Sequence, residues 1–286
     1  MKPTFRVVAK LDIKDENLVK GVNFEGLRVI GRPHEFANHY YKNCIDEIFY
    51  QDVIASLLGR NTLHKIIADS SRNIFVPITV GGGIKKLEDI ELILKSGADR
   101  VSVNSGALEN KSFIKSAITN FGSSNVIFSI EIMRVNNQFN IVKYNGRENT
   151  SYQLYDWLSI LSENGVSEVF LSSVNNDGTG KGIDYDILNV AKDFNNLSII
   201  YHGGVNINDP IKLNKYQFKN LVGLGVSSLF HYDYIKNQQR DIKKFKSGNT
   251  EFLQKKKVPS NINPLSINDF KKKLAANKIQ PIRFYV

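Results

Sequence analysis

Between Ile74 and Ala107 the chain reads IFVPITVGGGIKKLEDIELILKSGADRVSVNSGA, a run that few folds accommodate. Its apolar, β-branched start, Ile74 to Val80, predicts a buried strand. Gly81, Gly82 and Gly83 follow directly, and a helix-period stretch comes next with Leu87, Ile90, Leu92, Ile93 and Leu94 on its apolar side. Gly97 ends that helix, and Arg100 to Val103 predicts a second strand that runs into Asn104-Ser105-Gly106. Strand, glycine loop, helix and strand make a βαβ unit whose two strands lie parallel. Glycines at a strand's C-terminal end let backbone N–H groups approach an anion closely, although a lone triple glycine serves a tight turn equally well.

A second copy of the unit sharpens the choice. Glu47 to Val53, EIFYQDV, matches Glu168 to Val174, EVFLSSV, at an offset of 121. Val80-Gly81-Gly82-Gly83 answers to His202-Gly203-Gly204-Val205 near 121, and the Arg100 strand to Gly225-Val226-Ser227-Ser228 near 123. Lys10-Leu11-Asp12-Ile13 answers to Ser129-Ile130-Glu131-Ile132 at 119. Such a repeat predicts two (βα)4 halves, about residues 1–122 and 123–286, within one domain spanning 1–286. Eight parallel strands and their helices close into a (βα)8 TIM barrel of about 250 residues, with its working face at the strands' C-terminal ends. An open doubly wound sheet competes, but it predicts no half-chain repeat. Asp12, Asp52, Gly82, Asn104, Glu131, Asp177, Gly203 and Ser228 all fall at predicted strand ends.

Composition narrows the function classes. An excess of 38 Lys and Arg over 28 Asp and Glu suits anionic ligands. No nucleic-acid motif and no regular aromatic interleaving accompany it, so no nucleic-acid partner is expected. Cys44 is the sole cysteine, which precludes an intrachain disulfide and a thiolate metal cluster. The start, MKPTFRVVAK, lacks a signal-peptide core, and no apolar run reaches membrane-span length. A cytoplasmic protein without a membrane partner is expected.

Local signals fill in the chain. After the first strand, Phe5 to Leu11, comes a charged, glycine-containing stretch, IKDENLVKGVNFEGLRVIGRP, which predicts a long βα loop carrying Lys20. Helices are expected from His34 to Lys42 and from Asn61, its N-cap, to Ser70. Phe139 to Lys143 predicts a small extra hairpin after the fifth strand. Beyond the eighth strand, Leu221 to Leu229, an insertion at about 236–263 carries Lys236, Arg240, Lys243, Lys244, Lys246, Lys255, Lys256 and Lys257 against Asp241 and Glu251. Ser266, with Asp269 three residues on, caps a last helix that runs to Asn277.

Two phosphate-sized anion sites follow from the strand ends, one from Gly82, Gly83, Asn104 and Ser105, the other from Asp177, Gly178, Gly203, Gly204 and Ser228. Ser172, at the end of the sixth strand, is a further candidate substrate contact. A pseudo-twofold axis sets the two sites across one mouth, where a ligand with a phosphate at each end fits. Asp12 and Glu131 hold equivalent places and face each other, which suits general acid and base work, with Lys20 a third catalytic candidate. The five histidines are scattered without metal-ligand spacing, so neither a metal nor another cofactor is expected. At the opposite end, Arg6, Glu47, Arg100 and Glu168 begin their strands with alternating charge. They form either a stabilising bottom layer or a gate on an axial passage.

These residues resemble the cyclase subunit of imidazole glycerol phosphate synthase. The likeness rests on Leu11-Asp12-Ile13-Lys14-Asp15, Lys20-Gly21-Val22-Asn23-Phe24, Thr79-Val80-Gly81-Gly82-Gly83-Ile84, Val101-Ser102-Val103-Asn104 and Asp177-Gly178-Thr179. It extends from Phe5 to Tyr232 and resumes from Ser266 to Phe284. The sister sugar isomerase of histidine biosynthesis shares the half-barrel repeat but not the Asp12 to Phe24 pattern. The resemblance implies a lyase-class cyclase with a glutaminase, a glutamine amidotransferase subunit, docked at the N-terminal face. It implies ammonia passing a gate matched by Arg6, Glu47, Arg100 and Glu168, and reaction with a bisphosphorylated ribulosyl aminoimidazole carboxamide to give imidazole glycerol phosphate. The family's acid–base pair is two aspartates, and here Glu131 stands for the second. Asn175 replaces another usual aspartate, Lys10 replaces a small residue, and the basic insertion is absent from typical members. Paralogues of this barrel resemble suppliers of ammonia to a separate enzyme that amidinates surface sugars, and these departures open that alternative.

Overall fold

The computed structural model of the protein describes residues 4–55, 63–216, 218–237, 248–250 and 258–282. The sheet contains β1 (Arg6–Lys14), β2 (Asn17–Val22), β3 (Glu25–Gly31), β4 (Glu47–Asp52), β5 (Ile78–Gly81), β6 (Arg100–Val103), β7 (Val126–Val135), β8 (Gln138–Lys143), β9 (Glu148–Gln153), β10 (Glu168–Ser173), β11 (Ser198–His202) and β12 (Leu221–Val226). Strands β1, β4, β5, β6, β7, β10, β11 and β12 pair in parallel in that order, and β12 returns to β1. The result is a closed barrel. Closure buries both faces: every residue of β10, EVFLSS, is buried, with the apolar Val169, Phe170 and Leu171 between polar ends.

Between and after the strands lie α1 (Pro33–Lys42), α2 (His64–Ser71), α3 (Leu87–Lys95), α4 (Ser105–Glu109), α5 (Ser112–Phe121), α6 (Leu154–Glu163), α7 (Tyr185–Ala191), α8 (Asp209–Tyr216), α9 (Ser228–Lys236) and α10 (Ile267–Ala276). Each turns an apolar stripe onto the strands; Trp157, Leu158 and Leu161 of α6 are buried this way. Ser266 caps α10 through the Asp269 N–H at 3.1 Å, as its spacing predicts. No helix among the described residues is long and apolar enough to cross a membrane.

Inside the barrel, alternate residues of each strand stack in layers. The middle layer is apolar, with Val8, Phe49, Ile127, Phe170 and Ile200, and Phe49 meets Phe170 edge-on at 4.7 Å. Opening this layer by Phe170→Ala would cost about 3–5 kcal/mol. It divides a charged ring at the strands' N-terminal ends from a polar chamber at their C-terminal ends.

The repeat reappears as equal geometry. Asp12 lies opposite Gln51 in the sheet, and Glu131 opposite Ser172. Gly82 and Gly203 take φ values of 110° and 112°, Gly83 and Gly204 values of 71° and 76°. Asn104 (φ −133°, ψ −91°) and Ser227 (φ −123°, ψ −84°) lead into α4 and α9 alike. One detail differs from the sequence alignment. Gln51 faces Gly81 while Ser172 faces His202, so the equivalent of His202 is Gly81 rather than Val80.

The first βα connection is another correction. Its residues form an antiparallel hairpin, β2 and β3, that continues the sheet from β1. Asn23 and Phe24, at φ 52° and 65°, make the tight turn whose twist suits adjacent strands. In the second half β7 likewise runs on into β8 and β9, which enlarges the hairpin expected at Phe139 to Lys143. The strand expected from Ile74 is shorter, starting at Ile78, and Phe75 is 76% exposed. That expected to reach Leu229 ends at Val226, because Ser228 already begins α9. Asn61, Phe284, and Arg240, Asp241, Lys243, Lys244, Lys246, Glu251, Lys255, Lys256 and Lys257 of the insertion lie outside the described residues.

Candidate active site

Two glycine-lined pockets open at the C-terminal ends of the strands. The first gathers Gly82, Gly83, Asn104 and Ser105, together with Asp52 and Glu131. The second gathers Asp177, Gly178, Gly203, Gly204 and Ser228, with His202 and Ser227. All nine residues expected for anion binding thus fall into two groups, as the repeat requires. The glycines are sterically necessary: a Cβ on Gly82 would sit 2.4 Å from the Asp52 carbonyl oxygen, and one on Gly203 2.6 Å from that of Ser173. In the second pocket the N-terminus of α9 adds its dipole, and the Ser228 hydroxyl is buried without a hydrogen-bond partner among the described residues. Ser105 is tied back differently, its hydroxyl accepting the Tyr144 N–H at 3.1 Å. Ser172 lies against neither pocket; it is buried in β10 between Glu131 and His202.

The centre between the pockets differs from two free, opposed carboxylates. Asp12 is 5% exposed and its Oδ1 accepts a hydrogen bond from Lys10 Nζ. Lys20 Nζ lies 3.8 Å from the other oxygen of Asp12 and donates to Asp177 Oδ2 at 2.5 Å. Burial pushes the Asp12 carboxyl up, but Lys10 and then Lys20 outweigh it and hold the group below its usual range. For Lys20 burial works against the charge, yet Asp177 and Asp12 raise it overall. Glu131 has fewer partners. Burial pushes its carboxyl up to about 7, opposed in part by the Gly146 N–H at 2.9 Å, by Lys10 and by Asn104. A carboxyl poised near neutrality is suited to exchanging protons with a bound ligand.

Two further buried groups, Lys10 and His202, join the chamber, and a third, His231, lies near it. Lys10 is 4% exposed and its ammonium lies 5.8 Å over the Phe24 ring. His202 sits with Nε2 3.2 Å from Ser227 Oγ and 3.5 Å from Asp177 Oδ1. Burial, then Lys10 and Lys20, keep it well below its usual range and therefore neutral. His231, buried on α9 against Phe36 and bonded to the Tyr40 hydroxyl at 2.6 Å, is pushed by burial to about 3. A period-two signal was available for Lys10: Arg6, Val8, Lys10 and Asp12 share the inward face of β1.

The mouth is latched from both sides. Asn23 donates to the Val174 and Asn175 carbonyls at 2.9 and 2.7 Å, which fixes the hairpin over the second pocket. The insertion adds to this. The Val29 N–H of β3 donates to the Asn249 carbonyl at 2.9 Å, Asn261 donates to the Thr179 carbonyl at 2.5 Å, and Ile262 lines the second pocket.

At the barrel's other end Arg6, Glu47, Arg100 and Glu168 close into a ring. Arg6 bonds Glu168 and lies 3.1 Å from Glu47; Arg100 lies 2.7 Å from Glu168 and 3.7 Å from Glu47. Thr79 donates to Glu47 at 2.5 Å. Burial raises the Glu47 carboxyl despite both arginines. The ring spans the axis directly beneath the Phe49–Phe170 layer.

Comparison with known proteins fits this geometry. The family described as histidine biosynthesis protein matches residues 6–236. A protein of Legionella pneumophila named imidazole glycerol phosphate synthase subunit HisF is 42% identical over 201 residues, 70% of this chain and 95% of that protein. The protein of that name from Clostridium botulinum is 34% identical over 262 residues, 90% of this chain and 98% of its own. One from Natranaerobius thermophilus is 33% identical over 230 residues, 80% and 91%.

Proposed function

We propose that this chain, which belongs to the histidine biosynthesis protein family, is the HisF-type cyclase subunit of an imidazole glycerol phosphate synthase complex, within a cytoplasmic glutamine-amidotransferase pair. The observation that carries this is the duplicated pocket: two glycine cradles with matching backbone angles flank one proton-carrying carboxyl. A bisphosphorylated ribulosyl aminoimidazole carboxamide has an anion at each end and its reacting carbons between. Ammonia released by a glutaminase on the N-terminal face enters through the ring of Arg6, Glu47, Arg100 and Glu168, follows the axis past Phe49 and Phe170, and meets the ligand beside Glu131. Glu131 takes a proton from the nitrogen that attacks the ribulosyl carbonyl, whose oxygen leaves as water; ring closure onto the formimino carbon then breaks its C–N bond, Glu131 returns a proton to the departing amine, and imidazole glycerol phosphate and an aminoimidazole carboxamide ribotide result. Phe75, exposed beside Tyr41 at a centroid distance of 6.1 Å, offers the partner an aromatic anchor on that face.

Purified protein, an ammonium salt and the intermediate test this directly, with imidazole glycerol phosphate measured by chromatography. Turnover supports the cyclase. No turnover, together with thermal protection by inorganic phosphate but not by the bisphosphate, would sink the single bridging ligand. The Lys10–Asp12 pair and Glu131 favour a second reading, a paralogue that relays ammonia to a separate enzyme amidinating a surface-polysaccharide sugar. Stimulation of a glutaminase on docking, without turnover of the intermediate, selects it.

A further inference from the structure

Among the described residues, Lys10 is the one cation hydrogen-bonded to Asp12: its Nζ bonds Asp12 Oδ1, whereas Lys20, at 3.8 Å from Oδ2, is engaged with Asp177 at 2.5 Å. Buried at 4% exposure beneath the Phe24 ring, Lys10 has no solvent to take its place beside the carboxylate. We propose that Lys10 is a positioning residue that fixes Asp12 in a permanent buried ion pair, so that Glu131 is the only carboxyl at the mouth that exchanges a proton with the ligand. This rests on the reading that a ligand spans the two pockets. It converts a two-carboxyl site into a site with one proton carrier and selects substrates whose conversion can pass through a single acid–base group.

The surroundings of both carboxyls bear this out. Asp12 faces Lys10 on its own strand, Lys20 on β2, Asp177 beyond β10, His202 on β11 and His231 on α9. Both histidines are held neutral by burial, and Lys20 is balanced by Asp177, which leaves Lys10 as the deciding charge. Glu131 faces Lys10 and Asp12 from β1, Asn104 after β6 and the Gly146 N–H beyond β8, with Asp52 in the same pocket. Among the described residues no cation bonds it directly. An opposite charge within about 4–6 Å shifts a carboxyl by about 1–3 pH units, enough to separate the two groups.

The test is a carboxyl 13C NMR titration of the full chain from pH 4 to 9, with Asp and Glu labelled and the resonances assigned from Asp12→Asn and Glu131→Gln. In the parent protein Asp12 is expected to stay flat and Glu131 to titrate near neutrality. In Lys10→Gln the Asp12 midpoint should rise by at least one pH unit into the measured window, and Glu131 should move upward as well. Lys10→Arg should keep both parent profiles. An Asp12 resonance that titrates in the parent, or that moves less than about 0.3 unit in Lys10→Gln, overturns the proposal; the parent profile alone decides the matter if Lys10→Gln does not fold. A parallel pH profile of ammonium-dependent turnover should show one ionisation in the parent and two in Lys10→Gln. Absence of turnover in both counts against the proposed function, while the titration still judges Lys10.

Discussion

Glu131→Gln should stabilise the protein at alkaline pH. The sign follows from where the proton sits. Burial raises the folded-state carboxyl to about 7 from its ordinary 4.5. Below 4.5 the group is protonated whether the chain is folded or not, and folding costs nothing there. Between 4.5 and about 7 the unfolded chain releases its proton while the folded one keeps it, so stability falls by about 1.4 kcal/mol per pH unit. Above 7 the whole cost persists, with a ceiling of roughly 3 kcal/mol. Glu131 retains some solvent contact, which screens the charge and reduces the expected figure to about 2 kcal/mol. Glutamine removes the charge, and its amide oxygen can still accept the Gly146 N–H. Thermal unfolding of parent and variant at pH 5.0 and 8.5 isolates the effect, because groups not coupled to Glu131 cancel in the difference. At about 2 °C per kcal/mol for a chain of this size, the variant should gain about 4 °C relative to the parent on going from pH 5.0 to 8.5. A difference that is flat with pH, or that favours the parent at pH 8.5, would refute the buried, poorly paired carboxyl.

Elsewhere the same logic gives losses. Lys271, fully buried on α10, donates to the Cys44 carbonyl at 2.5 Å and to Asp46 at 2.6 Å, so Lys271→Met should remove the ammonium beside the buried Asp46 carboxylate and cost about 3–5 kcal/mol, read as a lower urea midpoint. Arg6→Met leaves Glu47 and Glu168 sharing Arg100; with Arg6 itself 20% exposed, a loss of about 2–3 kcal/mol is expected by the same measurement. Gly82→Ala and Gly203→Ala combine a left-handed φ with a carbonyl clash. Each should cost about 1–3 kcal/mol and halve the number of phosphates bound in calorimetric titration, while an unchanged stoichiometry would divorce these glycines from anion binding.

The barrel was legible because its demands are local. Parallel strands buried on both faces must be apolar, and residues at φ near 110° with a carbonyl where a Cβ would stand must be glycine, so Gly82 and Gly203 announce themselves 121 positions apart. The charged ring was legible for a related reason, since Arg6, Glu47, Arg100 and Glu168 sit at strand starts. What escaped depends on distant partners. Lys20 looks like a surface lysine in a loop until the hairpin carries it 2 % exposed onto Asp177, 157 positions away. The hairpin itself hid because its alternation, NLVKGV and EGLRVIG, is interrupted by glycines and charges. His202 was visible only as part of a repeat, and its neutrality arises from burial and from two lysines on other strands.

Duplication in the backbone and divergence in the side chains therefore divide the labour at the mouth. The glycine angles and the turns into α4 and α9 agree between halves to within about 10°, and the strand register matches residue for residue around Gln51 and Ser172. The side chains above the apolar layer do not: Lys10 stands where the second half has Ser129, and His202 where the first has Gly81. Both added groups enter the half-space around Asp12, while Glu131 keeps its pocket without a bonded cation among the described residues. A twofold arrangement of backbone N–H groups can hold two anions but cannot distinguish the carbons between them. Only the unduplicated groups can do that, and they do it by setting which carboxyl gives up its proton. The two properties are separable. Changing Gly82 or Gly203 alters the grip and leaves the Lys10–Asp12 contact intact, whereas changing Lys10 alters the proton balance and touches neither glycine.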